Sequence, residues 1–574
     1  MTTSAFRQGV LFATVLTALF LSDFIFHIGS PLGPGHNDVY LISFILKHYV
    51  SVFLQGNLKD ILTLPMFYGI QDSLLLSEHY FLIGVAAVPL YLLKPDYIFT
   101  FNFLAVIAVW GNFVAMYVYV QYLTGKVWPS ILAAVIFAYN PFVMSHFPDI
   151  IIYYTLGWIP LILLYIERAL KEPTITYTFM IFVLLLLQLA TTLTYLVYLA
   201  VILPVYVVVR MRQLKVPVRP LVNRGTVMGF ILLAVVSLSV GRLYGQHYAK
   251  EPTGRTADET AFFSAWPTDY LFSPVTSLVY GGGRALVASV VPSYIFTRGE
   301  TAEHNLFWGI VPTLLFIGGF VLLKRSKYRG LWLLSLGLLI LSVLLSYGPK
   351  IQVSYTFSLP GPYGLLYAWF PLMQYLRVAA RFGMFTYLFI GLIAAFVLAE
   401  LSALIPRKAG RILAVALIAC VFLEYWNKPF DFVLIPDSIR AFYTVVGKQQ
   451  GMRVLLELPM GNLSDGYSSA RYQYVDAQYL FRATNLHDKI LFNGYSGVIP
   501  RTYQMHQKYL SANFPTPEKL IQLTLWGVDG IALHKDQFIY PDDFDALRSK
   551  LKGLGLREVI FNGNDDLFDL HVSR

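Results

Sequence analysis

Long apolar runs separated by short polar segments dominate the first three quarters of the chain. A helix needs about 20 apolar residues to cross the ~30 Å hydrocarbon core of a bilayer. Runs of this kind predict eleven membrane spans, at residues 9–29, 98–123, 128–142, 151–166, 176–190, 193–209, 225–244, 305–323, 330–347, 382–404 and 412–426. A further apolar run at residues 79–93 would be only about 22 Å long as a helix. We interpret it as an interfacial or re-entrant segment.

Basic residues occur in short segments between alternate spans. Short cytoplasmic loops are enriched in Lys and Arg, and eleven spans place all of these segments on the cytoplasmic side. They contain Arg7, Lys126, Arg168, Lys171, Arg210, Arg212, Lys215, Arg219, Arg224, Lys324, Arg325, Lys327, Arg329, Arg407, Lys408 and Arg411. The pattern therefore predicts a multi-pass protein of the cytoplasmic membrane, with the N-terminus inside and the C-terminal segment outside.

The apolar runs end near residue 426, and the charge balance changes there. The first 426 residues hold 27 basic and 17 acidic residues, whereas residues 427–574 hold 16 of each. Residues 453–458 and 528–533 have the pattern of buried strands, and residues 469–482, 503–510 and 542–551 that of helices. We predict a mainly α fold: a transmembrane helical bundle (1–426) with long outer loops at 30–97, 245–304 and 348–381, then an extramembrane α/β domain (427–574).

Composition excludes several classes of protein. Hydrophobic residues make up 56% of the chain and charged residues only 13%, about half the charged fraction of soluble domains. The net charge of +10 is not gathered in one basic domain, which argues against a nucleic-acid partner. The single cysteine, Cys420, allows neither a disulfide framework nor a cysteine metal cluster. The short cytoplasmic loops contain no nucleotide-binding motif, which argues against a nucleotide-driven pump.

The first candidate for chemistry directly follows the first predicted span. His36 and Asp38 end a Gly/Pro-rich turn at the outer membrane surface. A carboxylate held there could act as general base toward a substrate hydroxyl. The structural alternative is that Asp38 caps the helix that follows.

A second group of candidates lies between the predicted helices. His146 and Asp149 could bind a substrate hydroxyl or, together with Asp38, a divalent cation such as Mg²⁺ or Mn²⁺. Their spacing matches no recognised metal motif, and simple turn chemistry explains them equally well. Glu78 and His79 form another polar pair, either in substrate binding or as an interfacial anchor.

Two arginines precede the span at residues 382–404. Arg377 and Arg381 are four residues apart, so a helix would place them on one face. Arginine binds phosphate bidentately and stays charged in a low-dielectric setting, whereas snorkelling to the interface is the structural alternative. Glu303, in the large outer loop, joins the candidate substrate-binding residues without a diagnostic spacing.

Together these features resemble the GT-C superfamily of polytopic glycosyltransferases. The features are the early acid in His36-Asn37-Asp38, the Asn140-Pro141-Phe142 step before a His-containing link, the Trp158-Ile159-Pro160 helix, the segment 376–382, and the outer α/β domain. The resemblance implies inverting transfer of a sugar from a polyprenyl-phosphate carrier on the outer face, with an acid of the first outer loop as base. Asp38 matches that position, and Asp149 matches a second-loop acid.

The sequence therefore predicts a membrane glycosyltransferase with Asp38 as general base. Its expected partners are a lipid-linked sugar donor, an acceptor that is an envelope glycan, lipid or protein, and the lipid bilayer. No cofactor is required by the pattern, and a divalent cation is left open. Two alternatives remain: a transporter or flippase for a lipid-linked or envelope precursor, and a noncatalytic envelope-assembly protein. Few ionisable residues lie within the spans, which argues against transport.

Overall fold

The chain divides into two compact units. The computed structural model describes residues 3–33, 35–250, 257–274, 276–281, 302–354, 357–370, 373–374, 376–461, 474–511 and 513–570. The first unit, here called the helical unit, comprises residues 1–26, 105–241 and 254–429. The second, the sheet unit, comprises residues 27–104, 242–253 and 430–574. The predicted outer loop 30–97 thus groups with the C-terminal segment, while much of the predicted loop 245–304 lies outside the described residues.

The helical unit is built around one helix, Met384–Leu404. Every residue from Met384 to Ala399 is buried, as expected for a helix that is apolar on all sides. Its neighbour Val127–Ala138 is buried from Pro129 onward. The other helices of this unit are Thr3–Phe20, Ser22–Phe26, Pro141–His146, Ile151–Tyr154, Trp158–Lys171, Ile175–Thr191, Leu193–Leu214, Ala257–Phe262, Ile310–Leu322, Arg329–Ser346, Tyr363–Trp369 and Arg407–Glu424. Strands β1 (Lys350–Gln352) and β2 (Ser358–Pro360) form a short antiparallel ribbon.

Each of the eleven predicted spans contains a helix, and the mainly α membrane fold is confirmed. Within the described residues, eight helices are long and apolar enough to cross a membrane: Thr3–Phe20, Tyr97–Thr124, Val127–His146, Ile151–Lys171, Leu193–Leu214, Arg224–Lys250, Arg329–Ser346 and Ala379–Leu404. Ile175–Thr191 and Ile310–Leu322 are apolar but have only 17 and 13 residues. Because Arg407–Glu424 carries four charged residues, it is not among the eight. The count of eleven crossings therefore remains a prediction.

The bounds of the first span were wrong. The helix begins at Thr3, six residues earlier than predicted, because Arg7 is the only charged residue in its first two turns and no helix breaker precedes Gly9. It ends at Phe20, and a separate short helix, Ser22–Phe26, follows with Asp23 in its first turn. An acidic residue is favoured at a helix start, which explains why the run is interrupted there.

The sheet unit contains a five-stranded mixed sheet. Its strands are β3 (Val454–Leu458), β4 (Ile490–Leu491), β5 (Gly530–His534), β6 (Arg557–Phe561) and β7 (Asp565–Asp569), in the order β4-β3-β5-β7-β6. Strand β3 runs parallel to β4 and β5, whereas β7 runs antiparallel to β5 and β6. Its helices are Asn37–Gln55, Phe81–Leu93, Asp437–Lys448, Val475–Asn485, Arg501–Ser511, Pro517–Leu525 and Pro541–Gly553. Helices Tyr97–Thr124 and Arg224–Lys250 have residues in both units.

The predicted α/β pattern of the C-terminal segment is confirmed. The strands predicted at 453–458 and 528–533 are β3 and β5. The helices predicted at 503–510 and 542–551 extend by one or two residues at each end. The helix predicted at 469–482 is described from Val475, and residues 469–473 lie outside the described part of the chain.

One face of this sheet carries a buried ionic network. His534 on β5 lies between Glu457 on β3, which contacts its Nε2, and Asp565 on β7, whose Oδ1 is 2.7 Å from its Nδ1. Tyr443 donates a hydrogen bond of 2.7 Å to Glu457. Burial alone would raise the pKa of Glu457, but His534 and the other cations nearby lower it. Pairing of this kind offsets the cost of burying the carboxylate.

The predicted topology can be tested with reporter fusions. We expect alkaline phosphatase fused after Arg574 to be active in cells, since an odd number of spans places the C-terminus outside. The same reporter inserted after Lys215, in a basic loop, should be inactive. Cytoplasmic location of the C-terminal fusion would contradict the eleven-span prediction.

Candidate active site

Asp38 lies in the first turn of the helix Asn37–Gln55 in the sheet unit. His36 occupies the N-cap position, with no capping hydrogen bond from its side chain, so the alternative that Asp38 is the capping residue is wrong. A carboxylate in the first turn is nevertheless favoured by the helix dipole. Asp38 is half-buried, and Tyr495 donates a long hydrogen bond of 3.5 Å to its Oδ1. At its other end the helix stops at Gly56, whose φ of 69° suits a glycine.

Glu78 and His79 precede the helix Phe81–Leu93, also in the sheet unit. His79 is buried, and its Nδ1 accepts a hydrogen bond of 3.1 Å from the backbone N–H of Phe81. Its backbone carbonyl accepts a 2.6 Å hydrogen bond from the hydroxyl of Tyr49. Glu78 is half-buried. The ring of His79 therefore helps to shape a helix start, and a role for either residue in substrate binding remains a prediction.

In the helical unit, three of the predicted residues meet in one buried cluster. Arg381 contacts Glu303 through both Nε, at 2.9 Å from Oε1, and Nη2. His146 Nε2 lies 3.2 Å from Glu303 Oε2. All three residues are at least nine-tenths buried. We call this group the Glu303 cluster. The three residues were chosen independently from the sequence, and they come from three separate segments of the chain.

Local structure positions each member of the Glu303 cluster. Asn140 caps the short helix Pro141–His146 by accepting a 2.9 Å hydrogen bond from Val143 N–H, and His146 is the last residue of that helix. Glu303 lies in a single 3₁₀ turn, Ala302–His304, and Arg381 in another, Ala379–Gly383. A short 3₁₀ turn directs its side chains differently from a continuous α-helix, and here the two turns direct Glu303 and Arg381 toward each other.

The contacts of its two ring nitrogens fix the orientation of the His146 ring. Its Nδ1 lies 2.8 Å from the carbonyl oxygen of Phe142, and because a carbonyl can only accept, Nδ1 carries a hydrogen. Nε2 faces carboxylate oxygen Oε2 of Glu303. These two buried atoms are the point at which His146 meets the carboxylate of Glu303.

The electrostatics of the cluster centre on Glu303. Burial by itself would raise the pKa of this carboxyl, but the charge of Arg381 and the nearness of His146 outweigh burial and hold the pKa well below its usual range. Removing charges from water costs several kcal/mol per ion, so buried ionic groups are a poor device for stability alone. Perturbed titratable groups of this kind concentrate at functional sites.

Tyrosines that the sequence analysis missed enclose Arg381. Its guanidinium lies 3.5 Å from the ring centre of Tyr153, a cation–π contact. Tyr195 donates a 3.1 Å hydrogen bond to the backbone carbonyl of Tyr153, and Tyr198 a 2.6 Å hydrogen bond to that of Val378. The one signal in the sequence was the spacing of Tyr195 and Tyr198, which places both near one face of the helix Leu193–Leu214.

We expected Arg377 and Arg381 on one face of a helix, but they do not share one. Val378 has an extended backbone with φ −120°, and only the 3₁₀ turn Ala379–Gly383 follows it, so the α-helical spacing rule does not apply. Arg377 is half-buried, with its guanidinium 4.6 Å from the ring centre of Phe263. The anion that faces Arg381 is Glu303, whereas a lipid phosphate was expected.

Asp149 is half-buried and lies two residues before the start of the helix Ile151–Tyr154. No group of three or more His, Cys, Asp or Glu side chains in the described part of the chain is arranged to hold a metal ion. A divalent-cation site that includes Asp38 or Asp149 remains a prediction.

Comparison with solved structures identifies the fold. Two cryo-EM structures of the arabinofuranosyltransferase AftD from Mycobacteria match with TM-scores of 0.55 and 0.56, at 14% and 13% sequence identity. The matches cover 98% and 99% of this chain but only 40% and 42% of the AftD chains, so the chain spans about two fifths of AftD. ArnT from Cupriavidus metallidurans aligns over 98% of both chains at 11% identity, with a TM-score of 0.41.

No protein-family model and no curated protein sequence matches the chain. The likeness to AftD is one of fold, and it agrees with the membrane helices and the C-terminal sheet described above. The expected polytopic membrane fold is thereby confirmed: this chain is a polytopic membrane protein whose fold is similar to that of part of the arabinofuranosyltransferase AftD.

Proposed function

We propose that the protein is a membrane glycosyltransferase that moves a sugar from a lipid-phosphate carrier to an acceptor hydroxyl on the outer face of the membrane. The observation that carries the proposal is the convergence of His146, Glu303 and Arg381 in one buried ionic cluster within a fold shared with a glycosyltransferase. The acceptor class is an envelope glycan, lipid or protein.

The proposed reaction is a single displacement. Asp38 takes the proton of the acceptor hydroxyl while the oxygen of that hydroxyl attacks the anomeric carbon of the donor. The bond between that carbon and the phosphate oxygen breaks, and the phosphate leaves on its lipid with the bonding electron pair. A carboxylate with a supporting tyrosine, Tyr495, suits the base, and a half-buried position keeps Asp38 within reach of a substrate.

The Glu303 cluster has a positioning role in this proposal. Glu303 neutralises Arg381 and orients His146. It thereby holds together the three segments that carry these residues: the helix Pro141–His146 and the turns Ala302–His304 and Ala379–Gly383. Arg377, which is half-buried beside an aromatic ring, is the better candidate for contact with the donor phosphate, because two nitrogens of Arg381 already face Glu303. Neutralising the leaving phosphate stabilises the charge that develops as the sugar departs.

Label transfer tests the proposal. Purified full-length protein in nanodiscs is incubated with radiolabelled polyprenyl-phosphate sugars and an extract of envelope glycans. Transfer of label to the extract, or to water in its absence, supports a transferase. Movement of the intact labelled lipid across proteoliposomes without cleavage would identify a transporter or flippase instead. If neither cleavage nor movement is observed, the result favours a noncatalytic assembly protein.

The phosphate contact is tested by conservative replacement. We expect Arg377→Lys to raise the donor concentration needed for half-maximal transfer about tenfold to a hundredfold, since lysine keeps the charge but loses the planar fork. Arg381→Lys should also lower the amount of folded protein, because it disturbs the contacts with Glu303. Unchanged donor dependence in both variants, compared at equal folded amounts, would leave these arginines as structural groups.

A further inference from the structure

A second site is suggested by a cleft in the sheet unit, at the carboxyl end of strand β3. The cleft has a volume of about 360 Å³, within the range of small-molecule sites. Its floor is aliphatic and consists of Leu456, Leu458 and Met460. One wall is the helix Pro541–Gly553. The other consists of Leu510, Ser511, Asn513 and Phe514.

The topology of the sheet explains why a cleft forms there. After β3 the chain continues to the helix Val475–Asn485, whose Tyr479 ring lies 5.4 Å from that of His534, on the sheet face of the ionic network. After β5 it continues to the helix Pro541–Gly553, whose Arg548 Nε lies 2.7 Å from Asp566 on the opposite face. Successive strand residues point to opposite faces. The chain thus leaves the adjacent parallel strands β3 and β5 toward opposite faces, which is the position where open α/β sheets bind ligands.

The helix Pro541–Gly553 contributes a stripe of charged and apolar side chains to the cleft. Asp543, Ala546, Leu547 and Lys550 line the cleft at the spacing of one helical face. The neighbouring acid Asp545 points elsewhere, with its Oδ2 2.9 Å from Lys535 Nζ, so Asp543 and Asp545 do not act as a pair in the cleft. Phe544 between them is fully buried.

The lining indicates the class of ligand. One carboxylate and one ammonium group give the stripe no net charge, which disfavours a phosphate or another ion. Ser511 and Asn513 on the facing wall add hydroxyl and amide groups that both donate and accept hydrogen bonds. The aliphatic floor and the side chains of Phe514 and Phe538 offer an apolar surface. A neutral molecule with several hydroxyls and an apolar C–H face fits this combination.

We propose that this cleft binds a short neutral saccharide. The assignment of that saccharide to the acceptor glycan rests on the proposed function, but binding itself does not. The cleft then gives the enzyme a second contact with its acceptor, in addition to the hydroxyl that reacts. Such a contact would select acceptors by a sugar other than the one modified.

The test combines binding and transfer. Full-length protein in nanodiscs is first applied to an array of neutral envelope oligosaccharides, and the best binder is then titrated at equilibrium. Ala546→Trp fills the cleft from an exposed helical position, and Ser549→Trp places the same ring on the same helix outside the cleft lining. We expect Ala546→Trp to weaken binding at least tenfold and Asp543→Asn severalfold. Ser549→Trp should bind as the wild type does.

Several results would overturn the proposal: no array saccharide bound by the wild type, or equal binding by wild type and Ala546→Trp at matched melting temperatures. The transfer assay separates this proposal from the proposed function. Ala546→Trp should raise the KM for the acceptor while hydrolysis of the labelled donor in its absence stays unchanged. Absence of donor cleavage in the wild type would contradict the proposed function and leave the binding result to be judged on its own.

Discussion

Replacing Asp38 with asparagine should leave the protein folded and inserted but slow sugar transfer about 10²- to 10⁴-fold, the usual consequence of losing a general base. The replacement keeps the size of the side chain and its place in the first helical turn, while removing the group that takes the proton. The measurement is the rate of transfer at saturating donor and acceptor, normalised to folded protein.

The chain offers a matched control for this variant. Asp96 also lies at a helix start, in the same predicted outer loop, and its Oδ1 accepts a 3.0 Å hydrogen bond from the N–H of Phe99. Asparagine caps helices about as well as aspartate, so Asp96→Asn should keep both stability and activity. Transfer by Asp38→Asn within a few-fold of the wild type would show that Asp38 is not the base. His36 and Asp149 would then be the next residues to test.

A second large effect is expected at the centre of the buried cluster. Glu303→Gln leaves Arg381 buried without its counter-charge and removes the carboxylate that faces His146. Breaking a buried ion pair by removing one partner costs about 3 to 5 kcal/mol of stability. We also expect transfer per folded molecule to fall about a hundredfold, because small displacements of positioned groups slow catalysis strongly. Thermal unfolding and transfer rate are measured on the same preparations.

Another buried ion pair in the helical unit provides a control that distinguishes the loss of stability from the loss of transfer. Glu167 accepts hydrogen bonds from Arg210 Nε at 2.6 Å and Nη2 at 2.7 Å, and from Tyr206 at 2.7 Å. Glu167→Gln should destabilise the protein as much as Glu303→Gln does, yet leave transfer per folded molecule unchanged. In the double variant Glu303→Gln/Arg381→Met both charges are gone, so stability should recover while transfer does not. Recovery of transfer together with stability would show that the cluster has only a structural role.

Helices and strands of this protein were predictable where a short stretch of sequence is enough to indicate them. Strands β3 and β5 were placed within two residues, because each is a short, fully buried run between turn residues. The first helix was misplaced at both ends, because an apolar run shows where a helix is buried in lipid or protein but not where its hydrogen bonding stops. The non-helical segment at Arg377 was missed for a similar reason.

The candidate site was only partly predictable. Polar and charged residues in the predicted outer segments identified His146, Glu303 and Arg381 one at a time, but not their contacts. Arg381 and Glu303 are 78 residues apart, and no local spacing records which anion an arginine meets in the folded chain. Tyr153 and its partners were missed because tyrosine is common throughout this chain, with 39 copies, and only the fold distinguishes these three.

The short helix Ile310–Leu322 has a consequence for the lipid around the protein. Its 13 residues span about 20 Å, a third less than the hydrocarbon core of an ordinary bilayer. A crossing by this helix requires the bilayer to thin beside it. Thinning of this kind would bring headgroups toward the midplane next to this helix, and shorter acyl chains would lessen the deformation. Activity in nanodiscs should therefore depend on acyl-chain length, with an optimum below that of average membranes.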